Sequence, residues 1–127
     1  MTAQQKVKWL IIKEFTPELT YPCAKIDELW DGRDEWEAEF IDAKEAVRES
    51  GVPTELGCEY SRYYESEAVA ARLPDGSWVG WTYWTGGGKH GEPEGMEWIG
   101  DAYDVSCKET FKMCSVLEFS RQSPEVD

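Results

Sequence analysis

The chain has 127 residues, of which 41% are hydrophobic and 13% aromatic, and this composition predicts one folded domain and excludes a disordered chain. Its 26 acidic and 13 basic side chains give a formal net charge of −13, which argues against direct binding of nucleic acid or of anionic membranes. No apolar run approaches the roughly 18 residues of a membrane span, and no signal-peptide core follows Met1, so we expect a cytoplasmic protein.

The first half of the chain is predicted to form one strand followed by helix. Segment 6–15 is rich in Val, Ile and Trp, and its side chains alternate in a way that predicts a strand with one apolar face. Two prolines make 16–22 a connection. Segment 24–50 is predicted to be helical, with a break at Gly32 and a longer helix from 33 to 50.

The longer helix is predicted to have an apolar stripe and an acidic face. At about 100° per residue, Trp36, Phe40, Ala43 and Val47 fall on one stripe, which we expect to face the core. Segment 14–67 carries 16 of the acidic side chains and only 5 of the basic ones. The acidic candidates for partner binding lie on the side and the outer face of this helix: Asp34, Glu35, Glu39, Asp42, Glu45 and Glu49.

These carboxylates are not arranged to stabilise a helix. Glu35–Glu39 and Glu45–Glu49 are like-charge pairs four residues apart, each of which costs about 0.2–0.5 kcal/mol. Neighbouring carboxylates on such a face lie roughly 5–6 Å apart, and duplex DNA carries one charge per about 3.4 Å of each strand. An acidic helix of this kind can therefore imitate a row of phosphates. The alternative is a solvated face that only keeps the protein soluble.

The second half of the chain is predicted to be mostly β-structure. The Pro74-Asp75-Gly76 sequence predicts a hairpin turn, and the strand that follows it is apolar on both faces, which predicts a central position in the sheet. A glycine-rich loop covers 86–95, and a short helix or irregular turn is expected at 96–103. The predicted strands are 58–65, 68–73, 77–85, 103–107 and 110–120.

The resulting fold class is α+β: a mostly antiparallel sheet of about five strands, with one long acidic amphipathic helix packed on one face. Residues 1–121 are predicted to form a single domain, and 122–127 a disordered polar tail. The other face of the sheet carries so many Trp and Tyr side chains that we expect another group to bury it. The glycine-rich loop, a ligand or a second chain in a homodimer would each do so.

The glycine-rich loop and the aromatic strand before it form the second candidate site. The loop matches neither a P-loop nor a dinucleotide-binding fingerprint. A polar binding loop, a plain hairpin connection and catalysis with His90 as general base are its three interpretations. The aromatic rings are either core or a stacking pocket under the loop. The candidate ligand residues are Trp81, Tyr83, Trp84, Lys89, His90 and Glu92.

The cysteines give no sign of a metal site. Cys23, Cys58, Cys107 and Cys114 contain no C-x-x-C pair, and nothing marks the chain for an oxidising compartment. We expect small buried thiols, with no metal and no cofactor.

The run 78–94, WVGWTYWTGGGKHGEPE, followed by Trp98 and Ala102-Tyr103, resembles a pattern in small proteins of phages and prophages. The resemblance covers about a quarter of the chain and implies no activity and no catalytic residue. The resemblance does suggest a functional class, because small acidic phage proteins are often inhibitors of host machinery, including anti-restriction and anti-CRISPR proteins.

The leading functional prediction is a non-enzymatic inhibitor whose acidic helical face occupies a basic, nucleic-acid-binding surface of a host protein. For a phage protein this places it in the host cytoplasm. The first alternative is a protein that binds or sequesters a small ligand with the aromatic strand and the glycine-rich loop. The second alternative is a small enzyme with His90 as its base.

Overall fold

Three helices precede a five-stranded antiparallel sheet in the computed structural model, which describes residues 1–58, 60–88, 91–111 and 115–122. The strands follow one another in space in the order β1-β2-β3-β4-β5, and each is antiparallel to its neighbours. The predicted α+β class and antiparallel sheet are therefore confirmed. The elements are α1 (Ala3–Phe15), α2 (Ile26–Asp31), α3 (Ala38–Ser50), β1 (Val52–Pro53), β2 (Tyr64–Arg72), β3 (Trp78–Gly86), a 3₁₀ turn (Pro93–Gly95), β4 (Tyr103–Phe111) and β5 (Ser115–Arg121).

The strand predicted at 6–15 is wrong, because this segment lies within helix α1. Thr2 begins the helix with a capping box: its hydroxyl accepts from the Gln5 backbone, and the Gln5 side chain accepts from the Thr2 backbone. Val7 and Ile11, one helical turn apart, are fully buried, and Trp9 and Ile12 are buried beside them. A segment with so many apolar side chains is compatible with either a strand or a helix. The Thr2–Gln5 capping box favours the helix.

The long helix is also shorter than predicted. Gly32 ends α2 as expected, but α3 begins only at Ala38 and has 13 residues. Phe40, Ala43 and Val47 are buried, as the periodicity predicts. Trp36 is not part of that stripe: it precedes α3 and is 79% exposed. No long acidic helix is present among the described residues.

The β2–β3 hairpin is the most regular part of the sheet. Nine residue pairs run from Tyr64 opposite Gly86 to Arg72 opposite Trp78. The predicted turn closes it: Gly76 has φ +87°, and the Asp75 carboxylate accepts hydrogen bonds from the backbone and hydroxyl of Ser77. β3 lies third of five strands, which confirms its predicted central position.

The remaining strand boundaries differ from prediction. The strands predicted at 58–65 and 68–73 are replaced by the single strand β2, and a two-residue strand, β1, pairs with it. β4 runs to Phe111, beyond its predicted end at residue 107. Residues 110 and 111, which are predicted to begin the last strand, therefore belong to β4, and β5 begins at Ser115. Most of the predicted tail, residues 123–127, lies outside the described part of the chain.

One hydrophobic core joins the helices to one face of the sheet. It combines Val7, Ile11 and Val47 from the helices with Val79 and Trp81 from β3. Phe40 of α3 also packs edge-on against the rings of neighbouring helical residues, at 4.9 Å from Trp30 and 6.3 Å from Phe15. This packing fixes α3 with its polar side facing solvent.

Gly80 sits where β3 and β4 approach too closely for a side chain. A Cβ atom there would lie 2.7 Å from Val105 Cγ2 and 2.8 Å from the Tyr103 ring. We expect Gly80→Ala to lower the free energy of unfolding by about 1–3 kcal/mol in urea denaturation. Gly57→Ala is the matched control, since a Cβ at Gly57 meets nothing within 4 Å. Equal stability of the two variants would contradict this packing.

Candidate partner-binding surface

The solvent side of α3 carries three exposed carboxylates, Glu39, Asp42 and Glu49, which we call the acidic face. At about 100° per residue, Asp42 and Glu49 lie opposite the buried stripe of Phe40 and Val47, and Glu39 lies at the side of the helix. The apolar periodicity that buries this stripe therefore leaves the three carboxylates exposed on the side and the outer face of α3.

The C-terminal end of α1 extends the negative charge of this face. Glu14, the residue before Phe15 at the end of α1, is exposed and lines a shallow groove together with Glu39 and Asp42. The other residues lining the groove are apolar, so no basic side chain faces these carboxylates within it. The negative potential on this side is consequently a property of two packed helices.

Glu45 differs from the other acidic residues of α3, because Arg48 binds it with two hydrogen bonds. Arg48 Nη2 donates to Glu45 Oε1 at 2.6 Å, and Arg48 Nε donates to Oε2 at 3.0 Å. These hydrogen bonds lower the pKa of the Glu45 carboxyl, against the opposing effect of its partial burial, and Glu45 in turn raises the pKa of Arg48. One of the six predicted acidic residues is therefore neutralised.

The three carboxylates of the acidic face form no salt bridge with a described base, although Glu49 is close enough to Arg48 to contribute to the raised pKa of its guanidinium group. Within the described ranges the structure has four salt bridges, and none of them involves Glu39, Asp42 or Glu49. The pairs are Lys6–Asp104, Lys8–Asp27, Arg33–Glu37 and Arg48–Glu45.

Asp34 and Glu35 lie on the segment that leads into α3. Asp34 is exposed, and its carboxylate accepts a hydrogen bond from the Trp36 backbone N–H at 2.9 Å. Glu35 lies at the rim of a second groove, formed between the start of α3 and the segment 94–99. Since α3 begins at Ala38, the predicted Glu35–Glu39 pair is not a pair within a helix. Of the six predicted residues, Glu39, Asp42 and Glu49 lie on the acidic face and Glu35 and Glu45 line the second groove, so the six do not form one helical face.

The second groove, which we call the Trp36 groove, combines apolar and acidic side chains in a volume of about 370 Å³. Its two walls are far apart in the chain, so no local sequence pattern predicts this groove. Its apolar residues are Trp36, Ile41, Met96, Trp98 and Ile99; its charged residues are Glu35, Lys44, Glu45, Glu94 and Glu97.

Two of the four aromatic side chains of β3 are buried, and the other two are half-buried. Trp81 is fully buried and Trp84 is 4% exposed. Tyr83 is half-buried, and the Arg48 guanidinium lies 4.8 Å from the centre of its ring. None of these rings lines the Trp36 groove or the groove beside Glu14. The core interpretation of this strand is therefore the one that the burial favours.

The glycine-rich loop folds back on itself. Gly86, Gly87 and Gly88 all have positive φ, and at Gly87 a Cβ would lie 2.5 Å from the Tyr64 ring. The Tyr64 hydroxyl accepts a hydrogen bond from the Glu92 backbone N–H at 3.2 Å, which ties the loop to β2. Lys89 and His90, the candidate binding and catalytic residues of this loop, lie outside the described residues.

The described residues give no metal-binding cluster of three or more His, Cys, Asp or Glu side chains. The expectation of buried thiols is wrong for Cys58, which is exposed, while Cys23 and Cys107 are half-buried; Cys114 is outside the described residues. None of the helices in the described ranges has the length and apolar character needed to cross a bilayer.

Comparisons of the chain with protein-family models, with curated proteins and with solved structures find no match.

Proposed function

We propose that this protein is a non-enzymatic binding protein whose acidic face occupies a basic, nucleic-acid-binding surface of a partner protein. The observation that carries the proposal is the exposure of Glu39, Asp42 and Glu49 on one side of α3, without a salt bridge to any described base. Charges fixed on an ordered helix attract an oppositely charged surface at long range and bind it in a defined orientation.

The rigidity of α3 supports this interpretation over a merely solubilising role. The helix is held to β3 by the Arg48 side chain, which donates to the Trp84 carbonyl at 2.7 Å, and by Trp81, whose indole N–H donates to the Arg48 carbonyl at 3.2 Å. A solubilising charge needs no fixed position. A surface that imitates a phosphate row does, because phosphate spacing must be matched by the carboxylates.

The resemblance to phage and prophage proteins suggests the class of partner. We propose a host protein that handles nucleic acid, inhibited in the manner of an anti-restriction or anti-CRISPR protein. Such a partner presents Lys and Arg side chains to phosphate groups, and the acidic face would compete with nucleic acid for them.

Charge reversal on the acidic face tests the proposal. Immobilised protein is incubated with bacterial extract, and the captured proteins are quantified with and without competing duplex DNA. We expect the wild type to capture nucleic-acid-binding proteins that DNA releases, and Glu39→Lys/Asp42→Lys to capture about tenfold less of them. Capture should also fall steeply as the salt concentration rises to about 0.3 M.

The matched control is Glu65→Lys/Glu118→Lys, which changes the net charge equally at two exposed carboxylates on β2 and β5. We expect this variant to retain most of the capture. If both double variants lose capture equally, net charge rather than the acidic face is responsible, and the proposal is wrong.

A further inference from the structure

Trp36 is a large aromatic side chain left in solvent at the edge of the Trp36 groove. It is 79% exposed, although its backbone N–H is fixed by the Asp34 carboxylate. Ile41, on the first turn of α3, lines the same groove and is 43% exposed. Trp98 closes the floor and packs against Trp81 of the core at 5.5 Å between ring centres. The groove is thus an apolar surface on a rigid base.

Carboxylates surround this apolar surface. Glu35 comes from the segment before α3, and Glu94 and Glu97 come from the opposite wall. All three are exposed, and among the described residues none of them forms a salt bridge. Glu97 Oε1 accepts a hydrogen bond from the Gly100 backbone N–H at 2.6 Å. Lys44 is the one base among the groove residues, and its ammonium group lies 5.1 Å from the Phe40 ring. The rim therefore favours a cationic occupant.

Neighbouring aromatic rings already have cations of their own. Arg33 lies over Phe15 at 4.1 Å, Lys44 over Phe40, and Arg48 over Tyr83. In the part of the chain that the structure describes, no cation lies over Trp36. The indole is the best of the aromatic side chains at attracting a cation to its face.

We infer that the Trp36 groove binds an arginine side chain of the partner's basic surface, with the guanidinium group stacked on Trp36 and paired with the surrounding carboxylates. This inference rests on the proposed function and adds to it the residue type that the partner must present. Arginine fits better than lysine, because a planar guanidinium can stack on a ring and donate two parallel hydrogen bonds to one carboxylate, whereas an ammonium is a compact, strongly hydrated charge. The apolar floor also suits an aliphatic residue next to the arginine.

Two short peptides that differ only in their cation test the inference. Fluorescein-labelled Gly-Arg-Leu-Arg-Gly-amide and Gly-Lys-Leu-Lys-Gly-amide are titrated with the full chain at about 0.15 M salt, where the Debye length is about 8 Å, and binding is followed by fluorescence anisotropy. We expect the arginine peptide to bind at least about fivefold more tightly. Trp36→Ala should weaken its binding about tenfold and remove the preference over lysine, and Trp36→Phe should restore part of both.

Tyr60→Ala is the matched control, because Tyr60 is 91% exposed and does not line the groove. Neither substitution removes a buried side chain, so urea denaturation should give wild-type stability for both. Equal affinity for the two peptides, or arginine binding unchanged in Trp36→Ala, overturns the arginine site.

The capture experiment tests the acidic face, whereas the peptide titration tests the Trp36 groove, so the two can give different outcomes. Glu39 and Asp42 do not line the Trp36 groove, so Glu39→Lys/Asp42→Lys should bind the arginine peptide within about threefold of the wild type. A larger loss in that variant overturns the assignment of the peptide to the groove. If the peptide results hold while capture ignores the acidic face, the proposed function is wrong and the arginine site stands.

Discussion

Arg48→Ala is expected to lower the free energy of unfolding by about 3 kcal/mol at neutral pH, measured by urea denaturation. Arg48 is only 5% exposed, and its guanidinium group donates to the Trp84 carbonyl, binds both oxygens of Glu45 and lies over Tyr83. Alanine removes all of these contacts at once. It also leaves a space beside the ring and a half-buried carboxylate without its cation.

The loss of stability caused by Arg48→Ala should become smaller as the pH falls. Arg48 lowers the pKa of the Glu45 carboxyl from its ordinary value of 4.5, mainly through their hydrogen bonds. A carboxyl with a lowered pKa in the folded state stabilises the protein above the ordinary value, and this contribution is lost as the pH falls through the lowered value. The stability difference between wild type and Arg48→Ala should therefore narrow progressively below about pH 4.5.

Two control variants distinguish the hydrogen bonds of Arg48 from its packing and from the loss of a positive charge on α3. Arg48→Met keeps most of the side-chain volume and should cost about half as much as alanine, since it loses the hydrogen bonds but not the packing. Lys44→Ala removes a half-buried base from the same helix and should cost less than about 1 kcal/mol. A cost for Arg48→Ala no greater than that for Lys44→Ala would show that Arg48 does not anchor α3.

Local signals in the sequence were sufficient for the hairpin and for part of α3. The turn at Pro74-Asp75-Gly76 uses residues whose backbone preferences fit a tight turn, so it needs little help from the rest of the molecule. The stripe of Phe40, Ala43 and Val47 is equally local, because its spacing alone defines a buried side. The acidic face follows from that stripe.

The errors come from segments where two local patterns compete. Val7, Trp9 and Ile11 alternate as in a strand, but Val7 and Ile11 are also one helical turn apart, and the Thr2–Gln5 capping box was the signal that could have decided for a helix. Trp36 fits the extrapolated stripe of α3, yet the chain enters the helix only at Ala38, so the indole remains in solvent.

The Trp36 groove could not be predicted from local patterns. Its walls, the start of α3 and the segment 94–99, are joined only by the tertiary fold, in which Trp98 packs on Trp81. The contact between two such distant segments depends on how the helices pack on β3. The spacing of residues in the sequence does not predict that contact. The residues were visible in the sequence, but their common surface was not.

Trp81→Ala is expected to lower the free energy of unfolding by about 4 kcal/mol, more than Arg48→Ala or Gly80→Ala. The side chain is fully buried on β3, packs against Trp98, and donates its indole N–H to the Arg48 carbonyl at 3.2 Å. Its removal would leave a large cavity between the sheet and the helices. It would also leave the Arg48 carbonyl without the donor that Trp81 supplies. Arg48 lies in the last turn of α3, where backbone carbonyls have no partner within the helix.

This substitution distinguishes a core residue from a ligand-stacking residue, the two roles that the sequence allowed for Trp81. Trp81→Phe should cost about 2 kcal/mol, since a ring remains but the indole N–H and part of the volume are lost. Trp36→Ala is the matched control, and with a side chain 79% exposed it should change stability by less than about 0.5 kcal/mol. If Trp81→Ala unfolded at the same urea concentration as Trp36→Ala, Trp81 would not hold α3 against the sheet, and the fixed position of the acidic face would lose its main physical support.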